Sequence, residues 1–217
     1  MHVPTLDLKI DHTHLALSIS HPIMVVPTYT IRPACRADAD AIAEMHMQSW
    51  REAFSHMLPA DYIDTVNSRR HASYRAQLAQ SNPSNERILI VAVHDQPSAT
   101  DPTTTDEVVA GICAVGKSRA TSDALAPFSY ELHCVYVLAA FHGGGVAQAL
   151  LRAAMTTFGM TATDSMFCKV FLKNVRAMRF YSKLGAHEVE REETTEYSVD
   201  PEFIVAMGWD SVHTLLG

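Results

Sequence analysis

Three consecutive glycines, Gly143, Gly144 and Gly145, stand between a β-rich apolar run that ends at Leu138 and an alanine- and leucine-rich helical run. Because glycine has no Cβ, a ligand can come close to the backbone of such a loop. The free N–H groups of the first helical turn and the positive end of the helix dipole then point at that ligand. The order of strand, bare loop and helix start predicts a site for an anion, above all a phosphate.

A second glycine-containing stretch, Gly111 to Ser118, matches the P-loop pattern G-x-x-x-x-G-K-S/T letter for letter. A phosphate-binding P-loop has to follow a strand and open a helix. Here Ile112 to Val115 is itself the apolar strand, and Arg119 to Pro127 is a poor helix that ends in proline. The context therefore argues against a nucleotide triphosphatase.

Two polar residues with a helical spacing, Asn174 and Tyr181, follow the glycine loop by some thirty residues. The segment around them reads as a capped helix, with Asn174 suited to the N-cap and Gly185 to the position after the C-cap. Seven residues make almost two helical turns, so both side chains lie along one face. A ligand that runs beside this helix could contact both.

The elements that must position these groups alternate between strands and helices. Strands are predicted at Thr28 to Arg32, Arg87 to His94, Val108 to Val115, Tyr130 to Leu138, Ser165 to Leu172, His187 to Thr194 and Glu202 to Met207. Helices are predicted at Arg36 to Phe54, from the glycine loop to Phe158, and at Asn174 to Leu184. A second helix is predicted to start at Leu58 to Tyr62, and Arg69 to Gln80 is either its continuation or a third helix. The polar stretch Asp95 to Glu107 is expected to be a long flexible hairpin connection.

Composition sets the broad class. The chain has 217 residues, 47% hydrophobic and 19% charged, which suits one sizeable globular domain. A net charge of −7 and the lack of a basic run argue against nucleic acid or an anionic membrane as partner, and weakly favour cationic substrates. With no signal peptide, no membrane-length apolar run and four widely spaced cysteines, the expected location is the reducing cytoplasm.

The first 28 residues read as an appendage, expected to be loosely ordered, before a domain spanning residues 29–217. They carry four histidines without a sustained apolar period. His12 and His14 could contribute to a metal site, but no third ligand stands at a suitable spacing, so no metal is predicted.

The glycine-loop run YVLAAFHGGGVAQALL resembles the acetyl-CoA pyrophosphate loop of the GCN5-related N-acetyltransferase (GNAT) family. The family pattern is Gln or Arg, two residues, Gly, one residue, then Gly or Ala. His142, Gly145 and Ala147 stand at its first, fourth and sixth positions, so His142 is the departure. KNVRAMRFYSKLGA resembles the family's Asn-containing helix, and IRPACRADADAIAEMHMQSW its first strand and helix. Together these run from about Tyr29 to the C-terminus.

The resemblance implies a mixed, mostly antiparallel sheet of six to seven strands flanked by helices, an α/β (α+β) fold. It implies acetyl-CoA as co-substrate, with the amides from Gly143 to Gln148 on its pyrophosphate and the strand edge Tyr136 to Leu138 beside its pantetheine arm. A backbone N–H of that edge could stabilise the oxyanion. The residues implied to bind the cofactor are Tyr136, Val137, Leu138, His142, Gly143, Gly144, Gly145, Val146, Ala147, Gln148, Asn174 and Tyr181.

The same resemblance implies an acyltransferase in which the amine attacks the thioester directly, without an acyl-enzyme, so Cys134 is expected to be structural. An aliphatic amine has a pKa of roughly 10.4 and has to lose a proton. Glu131 and His133, two apart on one face of the strand, are the candidate bases; the alternative is that one only hydrogen-bonds within the sheet. Tyr181 matches the family's acid for the departing thiolate, the alternative being a tyrosine that merely packs.

The acceptor is predicted to be a primary amine of a small molecule or peptide, otherwise unidentified. Trp50, Phe54 and Tyr62 are candidate walls of its pocket, although aromatic residues at helical spacing also suit a core. The segment Phe203 to Trp209 either covers the site or forms a homodimer contact. The alternative function is a non-catalytic acyl-CoA-binding or sensing module.

Overall fold

The structure, a computed structural model, describes residues 29–79, 87–97, 105–197 and 201–216. The N-terminal appendage, including His12 and His14, lies outside these residues, as do Thr28 and Gln80. The strands are β1 (Tyr29–Pro33), β2 (Arg87–Pro97), β3 (Thr105–Lys117), β4 (Tyr130–Val137), β5 (Met166–Phe171), β6 (His187–Thr194) and β7 (Glu202–Trp209). The helices are α1 (Ala39–Phe54), α2 (Ala60–Asn67), α3 (Arg70–Ala79), α4 (Val146–Phe158), α5 (Val175–Lys183) and α6 (His213–Leu216).

The seven strands form one sheet in the order β1-β2-β3-β4-β5-β7-β6. Every neighbouring pair is antiparallel except β4 and β5, which are parallel. This mixed, mostly antiparallel sheet with helices beside it confirms the predicted fold class. The segment Phe203 to Trp209 lies inside the sheet, since β7 pairs with both β5 and β6.

Strand pairing is shortest in the middle of the sheet, between β4 and β5. β4 and β5 pair at only two positions, Tyr130 with Met166 and Glu131 with Phe167. Beyond these pairs the two strands separate, so the remaining residues of β4 present a backbone edge to a gap in the sheet. A gap of this kind is a natural place for a ligand.

Helices cover both faces of the sheet because the strands are apolar on both. α4 buries Val146, Leu150, Leu151, Ala154 and Met155, at the spacing of one helix face, against side chains of β2, β3 and β5. On the opposite face, α1 and α3 pack against Val91, Ile112 and Ala114. Each fully buried leucine, methionine or valine contributes roughly 1.5–3 kcal/mol relative to an exposed one. The gap between β4 and β5 therefore lies in a sheet that is covered by packed helices on both sides.

A β-bulge sits in β4 just after the two pairs with β5. Val115 of β3 pairs with Leu132, but the preceding Ala114 pairs with Cys134, so His133 is an extra residue in the strand. A bulge bends the strand and redirects its side chains. Cys134 therefore joins the core on the α1 side, whereas Leu132 joins the core on the α4 side.

Two predictions about the β2–β3 hairpin can be judged. The P-loop pattern from Gly111 to Lys117 lies within β3, with no helix opened by it, so the argument against a P-loop is confirmed. The long connection predicted from Asp95 is wrong at both ends, since Asp95 pairs with Glu107 and Gln96 with Asp106. Polar residues can extend the ladder because it is held by backbone hydrogen bonds.

None of the helices in the described part of the chain combines the length and the apolar character that a membrane crossing requires.

Candidate active site

A cavity of about 740 Å³ occupies the gap between β4 and β5. Its walls come from α1, β4, the start of α4, β5, α5, the end of β6 and β7. Of the residues singled out in the sequence, those that line it are Trp50, Phe54, His133, Cys134, Tyr136, Val137, His142, Ala147, Asn174 and Tyr181. The cavity thus joins the two halves of the predicted site.

The glycine loop flanks this cavity at the start of α4. Gly143 has φ of 85° and Gly145 has φ of 78°, a left-handed conformation that side chains rarely adopt. Gly145 is the N-cap of α4 and supplies no side chain to cap the helix. The N–H groups of the first turn are therefore left for an external acceptor.

The other residues predicted to hold the cofactor lie beside the cavity and do not line it. Val146 is buried under α4, Leu138 is buried in the core on the α1 side, and Gln148 is exposed on α4. Gly143, Gly144 and Gly145 are exposed. For the three glycines and the two buried residues, any contact with a ligand has to come through the backbone.

His142 contacts the sheet. Its Nε2 lies 2.8 Å from the carbonyl oxygen of Val137, the last residue of β4. Because a carbonyl can only accept, Nε2 is the donor, and in a neutral ring Nδ1 then carries no proton. This hydrogen bond links the glycine loop to the end of β4, and it occupies the carbonyl of Val137 on that strand.

Helix α5 brings Asn174 and Tyr181 to the cavity. The side chain of Asn174 accepts a hydrogen bond from the N–H of Ala177 at 3.1 Å, so Asn174 is the N-cap, as predicted. Tyr181 is only 7% exposed, and its ring packs edge-on against Trp209 with centroids 5.8 Å apart. Burial raises the pKa of Tyr181 well above its ordinary value of 10.0. The phenol therefore keeps its proton, and its hydroxyl has the buried thiol of Cys168 as a hydrogen-bond partner.

Glu131 and His133 lie next to each other, at the bulge. Arg119 donates two hydrogen bonds to the Glu131 carboxylate, from Nη2 at 2.7 Å and from Nε at 3.0 Å. Nδ1 of His133 is 3.4 Å from Oε1 of Glu131, a distance for electrostatic attraction, and the described residues provide no hydrogen bond of good geometry to that nitrogen. Burial alone would raise the pKa of Glu131, but His133 and Arg119 outweigh it and lower that pKa to about 2.

The two candidate bases thus differ. The His133 side chain is 6% exposed and lines the cavity. Glu131 is not among the lining residues, and its low pKa makes it a weak proton acceptor at neutral pH. The sequence offered no signal for Arg119, which reaches Glu131 from a loop twelve residues earlier.

Aromatic rings form one wall of the cavity. The ring centroids of Trp50 and Phe54 are 4.9 Å apart. Phe171 packs on Phe54, and Tyr197 packs on Phe171. Tyr62 does not line the cavity, but its ring packs on Tyr197 at 5.7 Å. Phe171 and Tyr197 were missed in the sequence because they come from β5 and from the segment after β6.

Behind this wall, Trp50 is fixed by two polar contacts. Its Nε1 donates to the Tyr136 hydroxyl at 3.0 Å, and the guanidinium carbon of Arg70 lies 4.6 Å from its ring centroid. Arg70 also donates from Nε to Asn67 at 2.8 Å. Arg70 does not line the cavity, so its charge supports the wall from outside.

Comparison with known proteins places this geometry in context. The family model described as "Acetyltransferase (GNAT) family" matches residues 40–186. An uncharacterized N-acetyltransferase, YuaI of Bacillus subtilis (strain 168), is 24% identical over 186 residues, covering 86% of this chain and 95% of the relative.

Solved structures of acetyltransferases share the fold. The PaiA N-acetyltransferase of Thermoplasma acidophilum, in complex with coenzyme A, matches with a TM-score of 0.59 at 16% identity, over 84% of this chain and 99% of that one. The putative acetyltransferase YncA of Salmonella typhimurium, with acetyl-CoA, matches with a TM-score of 0.52 at 18% identity, over 85% and 94% of the two chains.

Proposed function

Since the chain belongs to the GNAT acetyltransferase family, we propose that it transfers the acetyl group of acetyl-CoA directly to a primary amine of a small molecule or peptide. The observation that carries the proposal is the gap between β4 and β5, which opens a cavity onto Tyr181 and His133 beside the glycine loop. The transferase domain is residues 29–217, with the first 28 residues as an extension.

The cofactor lies along β4 and α5. Its pyrophosphate is bound by the amides from Gly143 to Gln148, which the left-handed glycines and the uncapped start of α4 leave open. Its pantetheine arm runs beside the β4 edge at Tyr136 to Leu138, in the place that a further strand would take. The solved relatives that contain coenzyme A or acetyl-CoA support this choice of ligand.

The amine reaches the thioester from the side of the aromatic wall. His133 takes its proton, directly or through water, and the Glu131 carboxylate 3.4 Å away stabilises the imidazolium that forms. The amine nitrogen attacks the thioester carbon, and a backbone N–H of β4 stabilises the oxyanion.

The tetrahedral intermediate then collapses. The C–O double bond re-forms as the C–S bond breaks, and the electron pair of that bond leaves on sulfur. Tyr181, kept protonated by its burial, donates a proton to the departing thiolate. The nitrogen still carries one proton too many after the attack; it loses this proton to water as the amide forms, and the Tyr181 phenolate regains a proton from water. Cys134 lines the cavity but takes no part, because the amine attacks the thioester without an acyl-enzyme.

Two experiments test the proposal. Acetyl-CoA at a hundred times its dissociation constant should stabilise the protein by about 2.7 kcal/mol, which for a chain of this size raises the melting temperature by roughly 5–10 °C. Thiol release with a broad amine panel should then show turnover. A shift with ATP and magnesium but not with acetyl-CoA would refute the choice of glycine motif. Binding with no turnover on any amine would instead favour the non-catalytic acyl-CoA-binding module.

A further inference from the structure

Arg70, the first residue of α3, carries a charge into the layer of helices beside the cavity. Its Nη2 is buried without an acceptor among the described residues, and no ion pair between those residues includes Arg70. Burial lowers the pKa of Arg70, and the groups that oppose this effect are two tyrosines and a cysteine. A guanidinium nevertheless stays charged in a protein, and an unpaired buried charge is costly. Stability of the fold alone therefore does not explain this residue.

The neighbour that meets the guanidinium is an amide where a carboxylate would fit. Arg119 shows the usual arrangement, in which Nε and Nη2 donate to the two oxygens of Glu131. Arg70 turns the same Nε toward Asn67, whose Oδ1 accepts at 2.8 Å. Asn67 is 2% exposed, and its Nδ2, like Nη2 of Arg70, is a buried donor without an acceptor in the described part of the chain. The amide thus leaves the charge of Arg70 uncompensated.

The uncompensated charge lies over the ring of Trp50. The guanidinium carbon is 4.6 Å from the ring centroid, and a cation over an indole face is held most strongly where water is excluded. A carboxylate paired with the guanidinium would weaken that attraction. Trp50 lines the cavity and Arg70 does not, so the cation holds the indole from behind the wall.

Trp50 passes this constraint on to Tyr136 of β4. The indole Nε1 donates to the Tyr136 hydroxyl at 3.0 Å, and Tyr136 also lines the cavity. The ring of His46 supports the same pair, since its centroid is 4.5 Å from that of Tyr136 and its Nδ1 is 2.9 Å from Nη1 of Arg70. Contacts of Arg70 therefore join α3 to α1 and, through Trp50, to β4.

We propose that Arg70 is a positioning residue: its uncompensated charge fixes the Trp50 indole, and through it the Tyr136 hydroxyl, in the wall that the acceptor amine contacts. This inference rests on the proposed function, since it concerns the same cavity. Arg70 takes no part in proton transfer and lies away from the glycine loop. Its loss should therefore raise the KM for the amine and leave kcat and the affinity for coenzyme A unchanged.

The first test replaces Arg70 by methionine, an apolar side chain that can fill a buried space. For the best amine of the panel, Arg70→Met should raise KM about five- to tenfold and keep kcat within about twofold. The matched control is Arg75→Met on the same helix, exposed and outside the cavity, which should keep both constants. Equal effects of the two variants, or a loss in kcat alone, would overturn the proposal.

Fluorescence of Trp50 reports its position without turnover. The chain has two tryptophans, and the spectrum of Trp50→Phe gives the share of emission that belongs to Trp50. Indole emission depends on the charge and the water around the ring. Arg70→Met should therefore shift the emission maximum of that share and raise its quenching by acrylamide, whereas Arg75→Met should change neither. Unchanged emission in Arg70→Met would contradict a hold on Trp50.

The variant Asn67→Asp distinguishes this role from support of the fold, and it keeps Arg70 in place. The new carboxylate offers Nη2 the oxygen that it lacks and competes with the indole for the charge. KM should rise about two- to threefold, with a shift in Trp50 emission and no fall in melting temperature. If Arg70 served the fold alone, KM and emission would stay as in the parent protein, and that result would overturn the proposal.

A double variant tests whether the effect reaches Tyr136. Because Arg70 acts through Trp50, Arg70→Met combined with Tyr136→Phe should raise KM no more than about twofold beyond the larger single effect. Two effects that multiply would overturn this connection.

The readouts also separate the proposal from the function on which it rests. The expected changes in Trp50 emission without acetylation of any amine would uphold the hold on Trp50 and refute the transferase. Acetylation with the same KM in the parent protein, Arg70→Met and Asn67→Asp would uphold the transferase and overturn the positioning role.

Discussion

Replacing Tyr181 by phenylalanine separates its chemical role from its packing role. The ring is 7% exposed and lies against Trp209 and Phe180, contacts that phenylalanine preserves. Only the hydroxyl is lost, so the free energy of unfolding should change by less than about 1 kcal/mol. If the hydroxyl is the general acid, kcat should fall about a hundredfold, which corresponds to about 2.7 kcal/mol of transition-state stabilisation.

The expected loss lies at the lower end for acid catalysis because the leaving thiol, with a pKa of roughly 8.5, already departs well. Burial also fixes the pH dependence. Since the pKa of Tyr181 is raised above its ordinary value of 10.0, the phenol stays protonated through the range in which an ordinary tyrosine begins to ionise. The parent protein should therefore lose no activity at high pH through this group.

The assay is thiol release at saturating acetyl-CoA and amine, with melting temperature and the KM for acetyl-CoA measured on the same samples. The control is Tyr130→Phe, since Tyr130 lies on β4 with its ring 5.7 Å from Phe158 and does not line the cavity. That variant should keep kcat within about twofold. If Tyr181→Phe also keeps kcat within about threefold, or if its loss appears in KM alone, the assignment of the acid is wrong.

Three further changes test other parts of the site. Gly145→Ala places a side chain on a residue with φ of 78° and should weaken coenzyme A binding, measured by calorimetry, about tenfold. The control is Gly159→Ala at the other end of α4, where φ is 83°. It should cost the same strain energy of about 1–2 kcal/mol without weakening coenzyme A binding. Equal losses of affinity would contradict a cradle at Gly145. His142→Ala should change the dissociation constant of coenzyme A by less than about threefold, since Nε2 is committed to Val137; a loss beyond tenfold would show a phosphate contact. Glu131 has a folded pKa of about 2, below its ordinary 4.5, so its stabilisation is present above pH 4.5 and is lost as pH falls toward 2. Denaturant unfolding at several pH values should show that the free energy of unfolding of the parent protein falls by about 2 kcal/mol over this range, whereas that of Glu131→Gln does not. The same dependence on pH in both proteins would refute this role of Glu131.

Local patterns were enough to predict the parts of the site that lie close together in sequence. The cap at Asn174 and the run of glycines are each set by a few neighbouring residues, because backbone conformation and helix capping are local. The apolar runs likewise placed β2, β3, β4, β5 and β7, since burial on both faces of a sheet leaves an almost continuous apolar pattern. The P-loop pattern was rejected correctly because it required a helix that the sequence does not form.

The parts that could not be predicted depend on contacts between distant segments. Arg119 meets Glu131 only because a loop folds back over β4, and this pair, with His133, decides which of the two candidate bases is the better proton acceptor. The bulge that makes His133 an extra residue arises from the register of β3 against β4. Tyr62 was expected in the acceptor wall, yet Tyr197 stands in front of it, from a segment more than a hundred residues later. Hydrophobic periodicity carries no information on such pairings.

The short join between β4 and β5 also affects how the protein holds together. Seen along its hydrogen bonds, the sheet is two smaller sheets, of four and three strands, fastened by two residue pairs and by the shared core beneath α4. A pantetheine arm lying on the free edge of β4 would supply amide groups where strand pairing stops. The cofactor is then a substrate that also connects the two smaller sheets between β4 and β5. When it is bound, the amide protons of the two smaller sheets should exchange more nearly as one cooperative unit.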